Sequence, residues 1–212
     1  TNQCIYTEQN NTYIELPEIV FAKDGKSFFI TSDKDGYNHI YQYDMNGKLI
    51  KQITSGKWDV TKFDGYDDVK QTIFYTSAET SPMQRNVYSI NLKTGEKKKL
   101  TNENGTNEAI FNSNYTYFIN EFSNTEVPST YTLCDQNGKT IRVLEDNKEL
   151  KQKIKEANLS KKEFVQLKTS EGIELNAWIL KPQKMESDKK YPVMFCIYGG
   201  PGSQEVLDRW DY

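Results

Sequence analysis

Phe28-Phe29-Ile30-Thr31-Ser32, Ile40-Tyr41-Gln42-Tyr43-Asp44, Gly47 and Ile50-Lys51-Gln52-Ile53-Thr54 form a layout that the chain uses three times. The second copy reads Ile73-Phe74-Tyr75-Thr76-Ser77, Val87-Tyr88-Ser89-Ile90-Asn91, Gly95 and Lys98-Lys99-Leu100-Thr101. The third reads Tyr115-Thr116-Tyr117-Phe118-Ile119, Thr130-Tyr131-Thr132-Leu133-Cys134, Gly138 and Ile141-Arg142-Val143-Leu144. Tyr41, Tyr88 and Tyr131 lie 47 and 43 residues apart, and Gly47, Gly95 and Gly138 keep nearly the same spacing. A repeat of this length, built from short strands, is the signature of propeller blades. Asn46-Gly47, Thr94-Gly95 and Asn137-Gly138 supply the positive φ of a tight hairpin turn. A β-sandwich with regular turns is the alternative. The joint recurrence of aromatic and glycine positions favours blades. Three blades are too few to close a ring, so the chain is expected to hold the last blades of a β-propeller.

Composition agrees with a mainly β chain. Of the 212 residues 36% are hydrophobic and 13% aromatic, with 14 Tyr. That mix suits half-exposed strands better than a thick helical core. A net charge of −3 gives no electrostatic case for nucleic acid or a membrane surface. Lys97-Lys98-Lys99 reads as a solvated strand edge. Cys4, Cys134 and Cys196 are too widely spaced for a zinc pair, and no metal or cofactor is expected. Cys196 is expected to be a buried thiol, and Cys4 and Cys134 can pair in an oxidising compartment. No signal peptide or membrane-spanning run is visible, and the chain, starting at Thr1, reads as an internal fragment.

The pattern changes after Asn147. Lys148 to Leu159 carries Leu150, Ile154 and Ala157 at helical spacing, with Asp146 or Asn147 available as a cap. A hairpin follows, from Phe164 to Lys168 and from Ile173 to Leu180, around a turn at Ser170-Glu171-Gly172. Pro192-Val193-Met194-Phe195-Cys196-Ile197-Tyr198 reads as a fully buried strand. It runs into Gly199-Gly200-Pro201-Gly202-Ser203-Gln204. Such a glycine-rich strand end is where α/β-hydrolases build half of an oxyanion hole. From periodicity alone, Tyr198 as an oxyanion donor and Tyr198 as a strand-end aromatic stand level. No G-x-S-x-G elbow is present, so no triad can be assembled within these residues. His39, the single histidine, reads as a strand histidine with its hydrogen bonds satisfied. Ser203 lacks a base and is not read as a nucleophile. Arg209 and Trp210 are expected to help seat the first helix or loop of a hydrolase domain.

Tyr198-Gly199-Gly200-Pro201-Gly202-Ser203-Gln204 resembles the start of the catalytic domain in dipeptidyl peptidase IV-type serine peptidases, within the prolyl oligopeptidase family. Gly36-Tyr37-Asn38-His39-Ile40-Tyr41, Gly56-Lys57-Trp58-Asp59-Val60 and Arg142-Val143-Leu144-Glu145-Asp146-Asn147 are also similar to that subfamily. The resemblance implies propeller blades over 1–146, a linker helix over 147–162 and the opening strands of an α/β-hydrolase domain over 163–212. It assigns oxyanion stabilisation to the Tyr198 hydroxyl and backbone approach to substrate at Gly199 and Gly200. It implies a peptide substrate, release of X-Pro or X-Ala dipeptides through an acyl-enzyme, and inactivity of residues 1–212 alone. It also implies a homodimeric parent protein that is secreted, periplasmic or on the cell surface. The glutamate pair that captures a substrate amino terminus in this family has no match here, since Glu79 and Glu121 to Glu126 lack its context. Four N-x-[ST] matches start at Asn10, Asn104, Asn114 and Asn158 and carry little weight. Two other readings stand beside this one. One is a non-enzymatic propeller that binds or senses. The other is an acylaminoacyl- or oligopeptidase-type serine peptidase.

Overall fold

A computed structural model describes residues 4–11, 13–197, 199–200 and 203–211. Twelve strands form three antiparallel four-stranded sheets, each in simple sequence order. The first holds β1 (Ile19–Phe21), β2 (Ser27–Ser32), β3 (His39–Asp44) and β4 (Leu49–Gln52). The second holds β5 (Val60–Asp67), β6 (Thr72–Ser77), β7 (Asn86–Asn91) and β8 (Lys97–Lys99). The third holds β9 (Thr106–Phe111), β10 (Tyr117–Asn124), β11 (Val127–Asp135) and β12 (Thr140–Glu145). These are the three expected blades. Gly47, Gly95 and Gly138 sit in the β3–β4, β7–β8 and β11–β12 turns with φ of 78°, 74° and 86°. A Cβ on Gly138 would overlap the Leu100 carbonyl of the preceding blade, so the turn also needs glycine for close approach.

Period-two alternation explains how the blades stack. Phe29 and Ile40 of the first sheet meet Phe63, Ile73 and Tyr75 of the second. Phe74 and Val87 point the other way and meet Ala109, Phe118 and Cys134 of the third. The second sheet is thus covered on both faces, which is why β6 is buried along nearly its whole length. Phe28, Ile30, Tyr41 and Tyr43 face away from the second blade and are covered by Ile5 and Tyr6. The far face of the third blade carries Ile110 and Ile119 in the open.

The inner strands β1, β5 and β9 were not part of the repeat read from sequence. β5 carries register shifts between Val60 and Lys62 and between Phe63 and Gly65. Two bulges destroy the alternation that would have announced a strand. β8 is exposed along its length and pairs only with β7, as expected of the lysine edge.

A threonine staple recurs in the first two blades. Thr54 Oγ1 accepts the Ile40 N–H at 2.9 Å and meets His39 Nδ1 at 3.1 Å. Thr101 Oγ1 accepts the Val87 N–H at 3.0 Å and donates to Asn86 Oδ1 at 3.3 Å. These groups are buried, so removing the hydroxyl strands a backbone donor. Thr54→Val should therefore cost about 1–3 kcal/mol in urea unfolding, and Thr54→Ser should retain most of it.

Asp64 on β5 offers a pH test. Its Oδ2 accepts the Thr76 hydroxyl at 2.7 Å, and its Oδ1 pairs with Lys62 Nζ at 2.7 Å. Burial raises its pKa above the ordinary 3.8, against the lowering effects of Lys62 and Thr76. A raised folded-state value means that the folded chain binds the proton more tightly than the unfolded one. The contribution is present below the unfolded pKa and lost as pH rises through the folded one. Relative to Asp64→Asn, the wild-type chain should gain stability as pH falls from neutrality towards the carboxylate range. Parallel pH profiles of the urea midpoint check this.

The last part holds α1 (Lys148–Ala157) and one hairpin, β13 (Lys162–Lys168) with β14 (Glu174–Leu180). Asp146 Oδ1 accepts the Lys148 N–H at 2.9 Å. Asn147 makes no capping bond; its amide donates to the Ser129 carbonyl instead. No residue of α1 is buried, as expected of a lightly anchored helix. Gly172 turns the hairpin at φ 84°.

Two expectations are corrected, and the Cys4–Cys134 pairing that the sequence left open is not formed. The buried strand Pro192–Tyr198 is not formed at 192–197: Val193, Met194, Phe195 and Ile197 are 73%, 86%, 83% and 93% exposed. A strand buried on both faces needs paired neighbours, and none of the described strands pairs with it. Cys196 lies in the same run and is an exposed, not a buried, thiol. Cys4 and Cys134 are both free, the first exposed and the second buried beside Thr132.

Candidate functional site

Tyr198 lies outside the described residues, as do Pro201 and Gly202. Gly199 is exposed, and a Cβ there would meet nothing within 4 Å. Gly200 is half-buried and its carbonyl accepts the Ser203 N–H at 3.3 Å. Ser203 is exposed. The single histidine cannot serve it. His39 is fully buried in the first blade, with Nε2 against the Gly56 carbonyl at 3.0 Å and Trp58 edge-on at 4.8 Å.

Beyond the turn the chain is firmly placed. Leu207 is buried. The Asp208 N–H donates to the Met83 carbonyl at 2.8 Å, and the Asp208 carbonyl accepts the Thr106 hydroxyl at 3.0 Å. Asp208 Oδ1 accepts the Thr125 N–H at 3.0 Å and the Thr125 hydroxyl at 3.3 Å. The Trp210 N–H donates to Ser123 Oγ at 3.3 Å. Met83 lies between β6 and β7, Thr106 opens β9, and Ser123 and Thr125 flank the β10–β11 turn. In sheets that run strictly up and down, these positions share one end of the blades. The segment also touches the hairpin: Asp211 pairs with Lys162, whose Nζ sits 4.8 Å above the Trp178 ring. Desolvation, and the nearby Arg209 charge, lower the Lys162 pKa.

Of the acidic residues weighed from sequence, Glu79 is paired with Lys97 and Glu126 with Lys161. Glu121 on β10 lies directly across from Glu108 on β9 and Tyr131 on β11. A hydrogen bond to Glu121 raises the Tyr131 pKa. This carboxylate pairing spans a hairpin, so no run of adjacent glutamates could reveal it. Among the described residues, no cluster of three or more His, Cys, Asp or Glu could hold a metal ion, and no helix is long and apolar enough to cross a membrane.

The N-terminal region of dipeptidyl peptidase IV matches residues 1–129, more than half of the chain. The chain belongs to this family. Dipeptidyl peptidase 4 of Trichophyton equinum is 33% identical over 193 residues, which cover 89% of this chain and 25% of that protein. Dipeptidyl peptidase 4 of Arthroderma otae is 33% identical over 192 residues, with 88% and 25% covered. The crystal structure of Porphyromonas gingivalis dipeptidyl peptidase 4 superposes with a TM-score of 0.85 at 44% identity, covering 92% of this chain and 27% of that one. The chain thus spans about a quarter of the length of the dipeptidyl peptidase IV relatives it matches. The family match ends at residue 129, within β11, so the Gly199-Gly200 turn and Asp208 lie beyond it, whereas Met83, Thr106, Ser123 and Thr125 lie within it.

Proposed function

We propose that this chain is part of a serine-type dipeptidyl peptidase that releases X-Pro or X-Ala dipeptides through an acyl-enzyme. In this reading residues 1–146 are propeller blades, 147–162 a linker helix and 163–212 the opening of an α/β-hydrolase catalytic domain. The observation that carries it is the likeness to the Porphyromonas gingivalis enzyme over 92% of the chain, more than the blades alone can supply. Tyr198 is the oxyanion donor: a phenol held at the head of the glycine turn donates to charge that exists only in the transition state. Gly199 and Gly200 let backbone pass close to the peptide without a Cβ in the way. The serine, histidine and aspartate come from outside residues 1–212, because His39 is committed to its blade and Ser203 has no base. The longer protein works as a homodimer, secreted, periplasmic or on the cell surface.

A serine-directed phosphonate tests this. It should abolish hydrolysis of a Gly-Pro amide by the longer protein, and the adduct should map to a serine outside residues 1–212. Residues 1–212 alone should neither turn over the amide nor take up the label. An adduct on Ser203, or activity of the isolated chain, would contradict the reading.

A further inference from the structure

We propose that Asp208 is a positioning residue that clamps the segment leaving the Gly199-Gly200 turn to the second and third blades. Asp208 lies beyond the family match and its three partners lie within it; only the kinetic consequence rests on the oxyanion role given to Tyr198. Asp208 makes four hydrogen bonds to three partners: Met83, Thr106 and Thr125. The partners lie at three separate places, the β6–β7 connection, the start of β9 and the β10–β11 turn, and up to 125 residues away in sequence. Two of the four bonds use its carboxylate oxygen, which takes both the backbone and the hydroxyl donor of Thr125. The flanking anchors agree, with Leu207 buried and the Trp210 N–H on Ser123.

Among the described residues just upstream of the turn, 193–197 and Gly199, no comparable set of hydrogen bonds is found. Residues 193–197 are exposed, and a Cβ added at Gly199 would meet nothing within 4 Å. The first firm attachment after the turn is therefore at 207–210. Asp208 comes eight positions after Gly200, so the turn can lie no more than about 26–29 Å from the clamp even if the chain between is fully extended. The clamp thereby sets an upper limit on how far the turn can lie from the β6–β7 connection and the β10–β11 turn. A hydroxyl that must meet an oxyanion within hydrogen-bond distance needs such a fixed base, since small misplacements cost orders of magnitude in rate.

The test uses the longer protein with Asp208→Ala and Asp208→Asn. Asparagine keeps an oxygen acceptor in the same place and should behave nearly as wild type. In Asp208→Ala, amide exchange at Thr125 should speed up at least about tenfold while the blade strands keep their protection. kcat should fall by about 10- to 100-fold with KM little changed. Adding Asp208→Ala to Tyr198→Phe should cost almost nothing more, because both act on one donor. Unchanged exchange at Thr125 overturns the clamp. Faster exchange with wild-type kcat overturns the positioning role. If Tyr198→Phe is itself silent, the oxyanion reading fails instead. The clamp is then judged by exchange alone, which supports it if faster and overturns it if unchanged.

Discussion

In the longer protein, Tyr198→Phe lowers kcat by about 10²–10³, or roughly 3–4 kcal/mol of transition-state stabilisation, while KM changes little. The substitution removes one hydroxyl and keeps the ring, so the melting temperature should hold. The expected pattern follows from where the charge appears. The scissile carbonyl of the bound peptide carries little charge, and the tetrahedral intermediate carries a full one. A donor aimed at the intermediate therefore shows in kcat and not in binding. If kcat stays within about threefold of wild type, Tyr198 is a strand-end aromatic and nothing more. Steady-state kinetics on a Gly-Pro amide, with a melt of the same preparation, separates these outcomes.

Phe29→Ala should be the most damaging single change in the blades. Phe29 is completely buried, with ring centroids 6.2 Å from Phe63 and 4.6 Å from Tyr66. Both neighbours belong to β5 of the next blade, so the ring is the joint between two sheets. Removing it leaves a cavity at that joint and costs about 3–5 kcal/mol. Domains of ordinary stability have about 5–15 kcal/mol in all, so the variant sits near the edge of unfolding. Ile110→Ala on the open face of the third blade is the control. That side chain is 71% exposed, and its loss should stay within about 0.5 kcal/mol. Urea unfolding of the two variants side by side checks both; a cost below about 1 kcal/mol for Phe29→Ala would contradict the stacking.

The outer hairpins of the blades were legible because their turns need glycine and their strands alternate. Asn46-Gly47 and Asn137-Gly138 place positive φ where the chain reverses, and Phe28, Phe29 and Ile30 supply both faces of a stacked sheet. The inner strand β5 was not legible, since its bulges and Lys62 and Asp64 break the pattern. The run from Val193 to Ile197 shows the limit of reading burial from composition. Its apolar residues are as a buried strand requires, but burial also takes neighbours, and none of the described strands supplies them. The candidate site was legible only in part. The glycine turn carries a local signature, whereas Asp208 is a lone aspartate in sequence and becomes a clamp only through Thr125, 83 residues away. Contacts at that separation leave no periodic trace. The pairing of Glu108 with Glu121 was hidden for the same reason.

The central claim is dipeptide release by a protein built on these blades. The most direct measurement is the product spectrum of the longer protein on a peptide with proline at its second position, offered with a free and with an acetylated amino terminus. The reading requires an intact X-Pro dipeptide as the first product from the free peptide and no cleavage of the acetylated one. Equal cleavage of both peptides, release of an acetylated residue, or no cleavage of either would contradict it.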